Sequence, residues 1–122
     1  MSLVLDAGAL IDVERHGERA RALIEVAHRE SEAVIVPATV LAQIWRGGPQ
    51  AQISRVLRSG TTVSALDEPA ARAVGALLGL AGTSDVVDGH VALLARQHGA
   101  TIVTSDPDDL RRLHPHANLH VL

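Results

Sequence analysis

The chain has 122 residues with 11 Arg, no Lys, 14 Asp plus Glu and a formal charge of −3, and 47% of it is apolar. That length suits one compact domain over residues 1–122 and has no room for two. Without Cys or Lys there is no disulfide framework, thiolate metal site, Schiff-base or Walker lysine, nor the lysine that phospho-acceptor receivers and their phosphatase relatives need, and no polybasic stripe is present.

Leu3-Val4-Leu5 is a short apolar run of the kind that forms a strand buried on both faces. It reaches a charge at Asp6 with no basic leader, so no signal peptide is expected. No apolar stretch approaches the ~18 residues of a spanning helix, so the expectation is a cytoplasmic protein. Ala20, Leu23, Ile24 and Ala27 then recur at helical spacing. A second strand runs from Ala33 to Val36 and ends at Pro37, and a weaker third covers Thr61–Val63. Asp67 and Pro69 open a helix through Ala70, Val74, Leu77 and Ala81; Ser84 is the expected N-cap of the next, through Val87, Val91, Leu94 and Ala95. A fourth strand is Thr101–Val103, Asp106-Pro107 opens a short helix, and Leu119–Val121 is a last strand. Gly60, Gly82 and Gly99 stand where helices should stop. Short buried strands alternating with helices predict an α/β fold, with a mostly parallel central sheet covered on both sides.

Ligands of such sheets bind at the carboxyl ends of strands. Asp6 follows the first strand directly, and Asp106 lies just beyond the fourth. Asp85 and Asp88 sit three residues apart in a helical first turn at that same end. Any one of these acids alone reads as a helix cap or dipole partner. Together at one sheet end they repel by an amount on the order of several kcal/mol, and a divalent cation is the simplest remedy. All-oxygen ligands suit Mg²⁺ or Mn²⁺ rather than zinc, and such a cluster activates water and clamps a phosphoryl group.

Four segments carry a family resemblance: Leu3-Val-Leu-Asp6-Ala-Gly-Ala-Leu-Ile, Val36-Pro-Ala-Thr-Val-Leu-Ala-Gln43-Ile-Trp-Arg-Gly-Gly, Thr83-Ser-Asp85-Val-Val-Asp88-Gly-His-Val-Ala, and Ile102-Val-Thr-Ser-Asp106-Pro-Asp-Asp-Leu. In this order and spacing they resemble the PIN domain family, and within it the VapC-type toxins of bacterial toxin–antitoxin pairs. The resemblance implies a three-layer α/β/α sandwich, Mg²⁺- or Mn²⁺-dependent cleavage of RNA, a cognate VapB-type antitoxin and a homodimer. By position, Asp6, Asp88 and Asp106 match three of the family's usual four acids, and Asp85 is an additional acid common in this subgroup. Where relatives carry a fourth acid, Glu, this chain has Gln43. The amide keeps one carbonyl ligand but loses a charge and cannot act as a base. Drift to a weaker enzyme, compensation by Asp85, and deliberate replacement to make a toxic protein producible all fit that residue. A rival reading is a catalytically silent PIN-fold module that binds an antitoxin or dimerises.

Arg46 is placed either to hold an RNA phosphate or to sit solvated at a helix end, and Trp45, the only aromatic residue, reads as packing rather than base stacking. Arg111 and Arg112 are candidates to flank Asp106. His114, His116 and His120 have Pro115 among them and no fourth ligand nearby, which argues against a metal tract. His90, two residues past Asp88, points away from it and reads as a capping or interface residue.

Overall fold

The computed structural model describes residues 1–122. Its strands are β1 (Leu3–Leu5), β2 (Val34–Pro37), β3 (Thr61–Ser64), β4 (Thr101–Thr104) and β5 (Asn118–Val121). Its helices are α1 (Ala7–Glu14), α2 (Glu18–Arg29), α3 (Ala38–Trp45), α4 (Ala51–Arg58), α5 (Glu68–Ala81), α6 (Val86–His98) and α7 (Pro107–Leu113). All five strands lie in one sheet of order β3-β2-β1-β4-β5, and every pairing is parallel. The sheet is therefore wholly parallel, beyond the mostly parallel one expected, and β5 pairs with β4 in register from Asn118 to Val121.

The strand order fixes the layers. The chain steps outward from β1 through β2 to β3, then crosses back to β4 and β5 on the other side. Right-handed crossovers send the helices of these two halves to opposite faces. Accordingly α1 packs with α2 and α4, α6 packs with α5 and α7, and α3 touches both α1 and α6. The three inner strands are buried along their whole length, which is why they read as unbroken apolar runs. The strand order reverses between β1 and β4, and a ligand crevice opens at such a switch point.

Local signals placed most boundaries. Asp67 caps α5, its Oδ1 accepting from Ala70 N at 3.0 Å, and Gly82 and Gly99 end α5 and α6 with positive φ. Ser84 is not the cap of α6. Asp85 holds that place, because it is the last extended residue and its Oδ1 accepts from Asp88 N at 3.0 Å. The eight-residue helices α1, α3 and α4 were not anticipated; α4 does carry an apolar set at helical spacing, Ile53, Val56 and Leu57, but only over a single turn. Trp45 packs half-buried against the main core. No single helix is long and apolar enough to cross a membrane.

Candidate active site

Asp6 ends β1 and begins α1, and its carboxylate is almost fully used. Oδ1 accepts from Gly8 N at 2.8 Å as the helix cap, and Oδ2 accepts from the Thr104 hydroxyl. Thr104 is fully buried at the end of β4, and its oxygen also accepts from Asp106 N at 2.9 Å. One threonine thus ties together the acids that follow the two central strands. Burial pushes the Asp6 carboxyl above its ordinary 3.8, and the Asp106 charge adds to this, while the bonds from Thr104, Gly8 and Ala9 oppose it.

Asp106 occupies the N-cap position of α7, yet its side chain makes no capping bond. A capping role therefore does not account for it. Gly8 is held against the β4–α7 connection so closely that a Cβ there would lie 2.1 Å from Ser105 Oγ and 2.9 Å from Ser105 N. Only glycine lets α1 start this close to the neighbouring loop.

Asp6, Asp85, Asp88 and Asp106 line one cleft of about 250 Å³ together with Gln43, Ser105 and Asp109. Gln43 reaches it from the exposed side of α3. The cleft brings together every acid singled out in the sequence and one that was missed. Asp109 stands three residues after Asp106 on the same helix, a spacing that was legible as one face. Thr104 was also missed; a polar residue ending an otherwise apolar strand was its only signal. Arg111 and Arg112 are not among the lining residues, and Arg111 instead faces Asp108 at 3.9 Å on the exposed surface.

Five carboxylates around one small cleft leave a clear electrostatic mark. The Asp88 carboxyl is pushed from 3.8 to about 6, first by burial and then by the charges of Asp85, Asp109, Asp6 and Asp106. No three of these groups are gathered into a ready-made cage. The donor set is all oxygen, and its excess negative charge has no cationic side chain in the cleft to offset it.

His90 is neither a cap nor an interface residue. It is completely buried behind Asp88, where its Nδ1 meets Thr39 Oγ1 of α3 at 2.9 Å and Nε2 has no well-formed partner. Burial holds its pKa below 6.5, against the opposing pull of the Ala65 backbone and Asp67. Gly89 beside it lets α6 approach α5, since a Cβ there would sit 2.8 Å from Val74.

A family model described as PIN domain matches residues 3–114. No curated protein matches the chain by sequence. Among solved structures, VapBC2 from Rickettsia felis, bound to a DNA fragment from its promoter, is similar over 100% of this chain and 99% of that one, with a TM-score of 0.71 at 17% identity. A toxin-antitoxin complex from Klebsiella pneumoniae is similar over 98% of this chain and 96% of its own, with a TM-score of 0.69 at 17% identity. FitAcB from Neisseria gonorrhoeae covers 96% and 95%, with a TM-score of 0.64 at 19% identity.

Proposed function

The chain belongs to the PIN domain family, whose members are generally metal-dependent nucleases, and on that premise we propose that it is the endoribonuclease toxin of a VapBC-type toxin–antitoxin pair. The observation that carries the reading is the convergence of Asp6, Asp85, Asp88, Asp106 and Asp109 on one cleft at the switch point of the sheet. Asp6, Asp88 and Asp106 would hold Mg²⁺ or Mn²⁺, with Asp85 ligating directly or through water. The bound cation supplies activation of water and neutralisation of charge on the phosphodiester. Thr104 holds the Asp6 carboxylate and the Asp106 backbone in fixed relation, so two of these ligands are set before substrate arrives. Gln43 offers a carbonyl oxygen and two N–H donors where a fourth acid would stand, so it orients water or a phosphate oxygen but takes no proton.

The complexes among the structural neighbours support a cognate antitoxin partner, and we place the protein in the cytoplasm with its RNA substrate. A homodimer is proposed as the family resemblance implies. Light scattering of the purified chain tests it, and a monomer at all concentrations refutes it.

Purified protein incubated with RNA and Mg²⁺ or Mn²⁺ tests the nuclease reading. Cleavage is expected, and EDTA or Asp6→Asn should abolish it. Cleavage indifferent to both would overturn the reading. Gln43 favours one second reading, a catalytically silent module that binds its partner through the same fold. No cleavage, together with no heat of Mg²⁺ binding, would support that reading instead.

A further inference from the structure

A larger depression of about 530 Å³ adjoins the acidic cleft and shares the lining residues Ile11 and Gln43 with it. Glu14 and Arg15 line it from α1, and Arg46 and Gln50 line it from the segment after α3. Arg15 lies one turn beyond Ile11 on the exposed side of α1, about 10 Å from Gly8 along the helix axis. A third depression along α1 includes Arg15, Ile11, Gly8 and Ser105, and also Asp12, whose Oδ2 accepts from Ala20 N at 3.0 Å. Arg15 thus overlooks a groove that starts at the acids and follows α1.

The charges in this groove are unequal. Arg15 and Arg46 are exposed, and neither takes part in any ion pair; the pairs formed are Met1 with Glu32, Arg72 with Glu68, and Arg111 with Asp108. The one carboxylate in the depression is already engaged. Glu14 Oε2 accepts from Gln52 N at 2.9 Å and Ile53 N at 3.0 Å, so the carboxylate is held at the start of α4 and forms no ion pair with either arginine. Two guanidinium groups are therefore left without an ion-pair partner beside the acidic cleft. Guanidinium is the side chain best matched to phosphate, because its fork of donors binds two oxygens at once.

We propose that Arg15 and Arg46 bind the phosphate backbone of a single-stranded RNA a nucleotide or two from the bond placed in the acidic cleft. The strand would run from the carboxylates over Ile11 to this arginine ledge. The inference rests on the nuclease reading for the identity of the polyanion, and it assigns the ledge to RNA rather than to an acidic protein segment.

The test is binding of a short fluorescein-labelled single-stranded RNA to the full chain in Ca²⁺, followed by anisotropy across a salt series. Each phosphate contact on a single strand contributes about 0.7 to the slope of log affinity against log salt, so R15Q/R46Q should be shallower by about 1.4. At about 0.15 M salt this is roughly a ten-fold loss of affinity. R15K/R46K keeps the charges and should keep the slope. An unchanged slope in R15Q/R46Q overturns the proposal and leaves the ledge to a protein partner. A slope that falls equally in R15K/R46K also overturns it, since packing rather than charge would then be at work. Cleavage by the unaltered chain is scored separately in Mg²⁺. Its absence refutes the nuclease reading, while the slopes still judge the ledge.

Discussion

Asp88→Asn tests the electrostatics of the cleft most directly. The Asp88 carboxyl is displaced from 3.8 to about 6. At 1.36 kcal/mol per pH unit this amounts to about 3 kcal/mol held against the ionised form. The side chain is only half-buried in an open cleft, and solvent screening reduces the figure to about 1.5 kcal/mol. An unfolded carboxyl ionises near 3.8 and the folded one near 6, so the folded state binds more protons between those values. The metal-free protein therefore loses stability as pH rises through that window; the loss is complete above about pH 6 and absent below about 3.8. Asparagine escapes this penalty, though it forfeits the attraction of a carboxylate to the start of α6, about 0.3–1 kcal/mol. Asp88→Asn should stabilise the metal-free protein by about 1 kcal/mol near pH 7.5 and by much less near pH 4.5, read from urea unfolding in EDTA. Comparing both proteins at each pH cancels His90 and His114, whose lowered pKa values withdraw stability as pH falls. Saturating Mg²⁺ should reverse the order, since only the unaltered site gains its full binding free energy. A destabilised Asp88→Asn in EDTA near pH 7.5, or a difference that ignores pH, would refute the account of burial plus carboxylate repulsion.

Three further outcomes are expected. Gln43→Glu adds a charge to the cleft and should tighten Mg²⁺ or Mn²⁺ binding by about ten-fold, the size of effect typical of ligand-shell changes, with a rise in RNA cleavage; calorimetry showing no change would remove Gln43 from the ligand shell. Thr104→Val leaves Asp6 Oδ2 and Asp106 N without their shared partner, costing about 2–3 kcal/mol and raising the Asp6 pKa further, which carbon-detected carboxyl titration would follow. Gly8→Ala drives a Cβ against Ser105 and should cost about 1–3 kcal/mol by denaturant unfolding; adding Ser105→Gly should recover only part, because Ser105 N remains 2.9 Å away.

Legibility in the sequence followed the range over which each residue's environment is set. The strands β1, β2 and β4 were readable because burial on both faces writes itself as an apolar run, and α5 and α6 because they are long enough to show a period. The helices α1, α3 and α4 were not, because each is two turns long and shows its apolar face only once, as Ile53, Val56 and Leu57 do in α4. Asp6, Asp85, Asp88 and Asp106 stood out by their position after strands or at a helix start. Thr104 needed the partner 98 residues away to give it meaning, and His90 needed α3 to be seen as its lid. Asp85 against Ser84 as the cap of α6 is a one-residue choice that backbone direction settles and composition does not.

A net charge of −3 taken alone disfavours a nucleic-acid substrate, and the fold changes the weight of that argument. Five of the 14 acids line a single cleft, so the surface outside it holds nine acids (14 − 5) against all 11 arginines. Counted without the cleft, the chain is therefore mildly basic. A polyanion would meet arginines first and the carboxylates only at the point of reaction, where their repulsion must be cancelled by divalent charge. Burial first, and then this crowding of charge, makes Asp88 hard to ionise in the metal-free chain. The raised carboxyl pKa and the proposed need for a divalent cation would then share one setting, acids that are both partly buried and crowded where the sheet reverses.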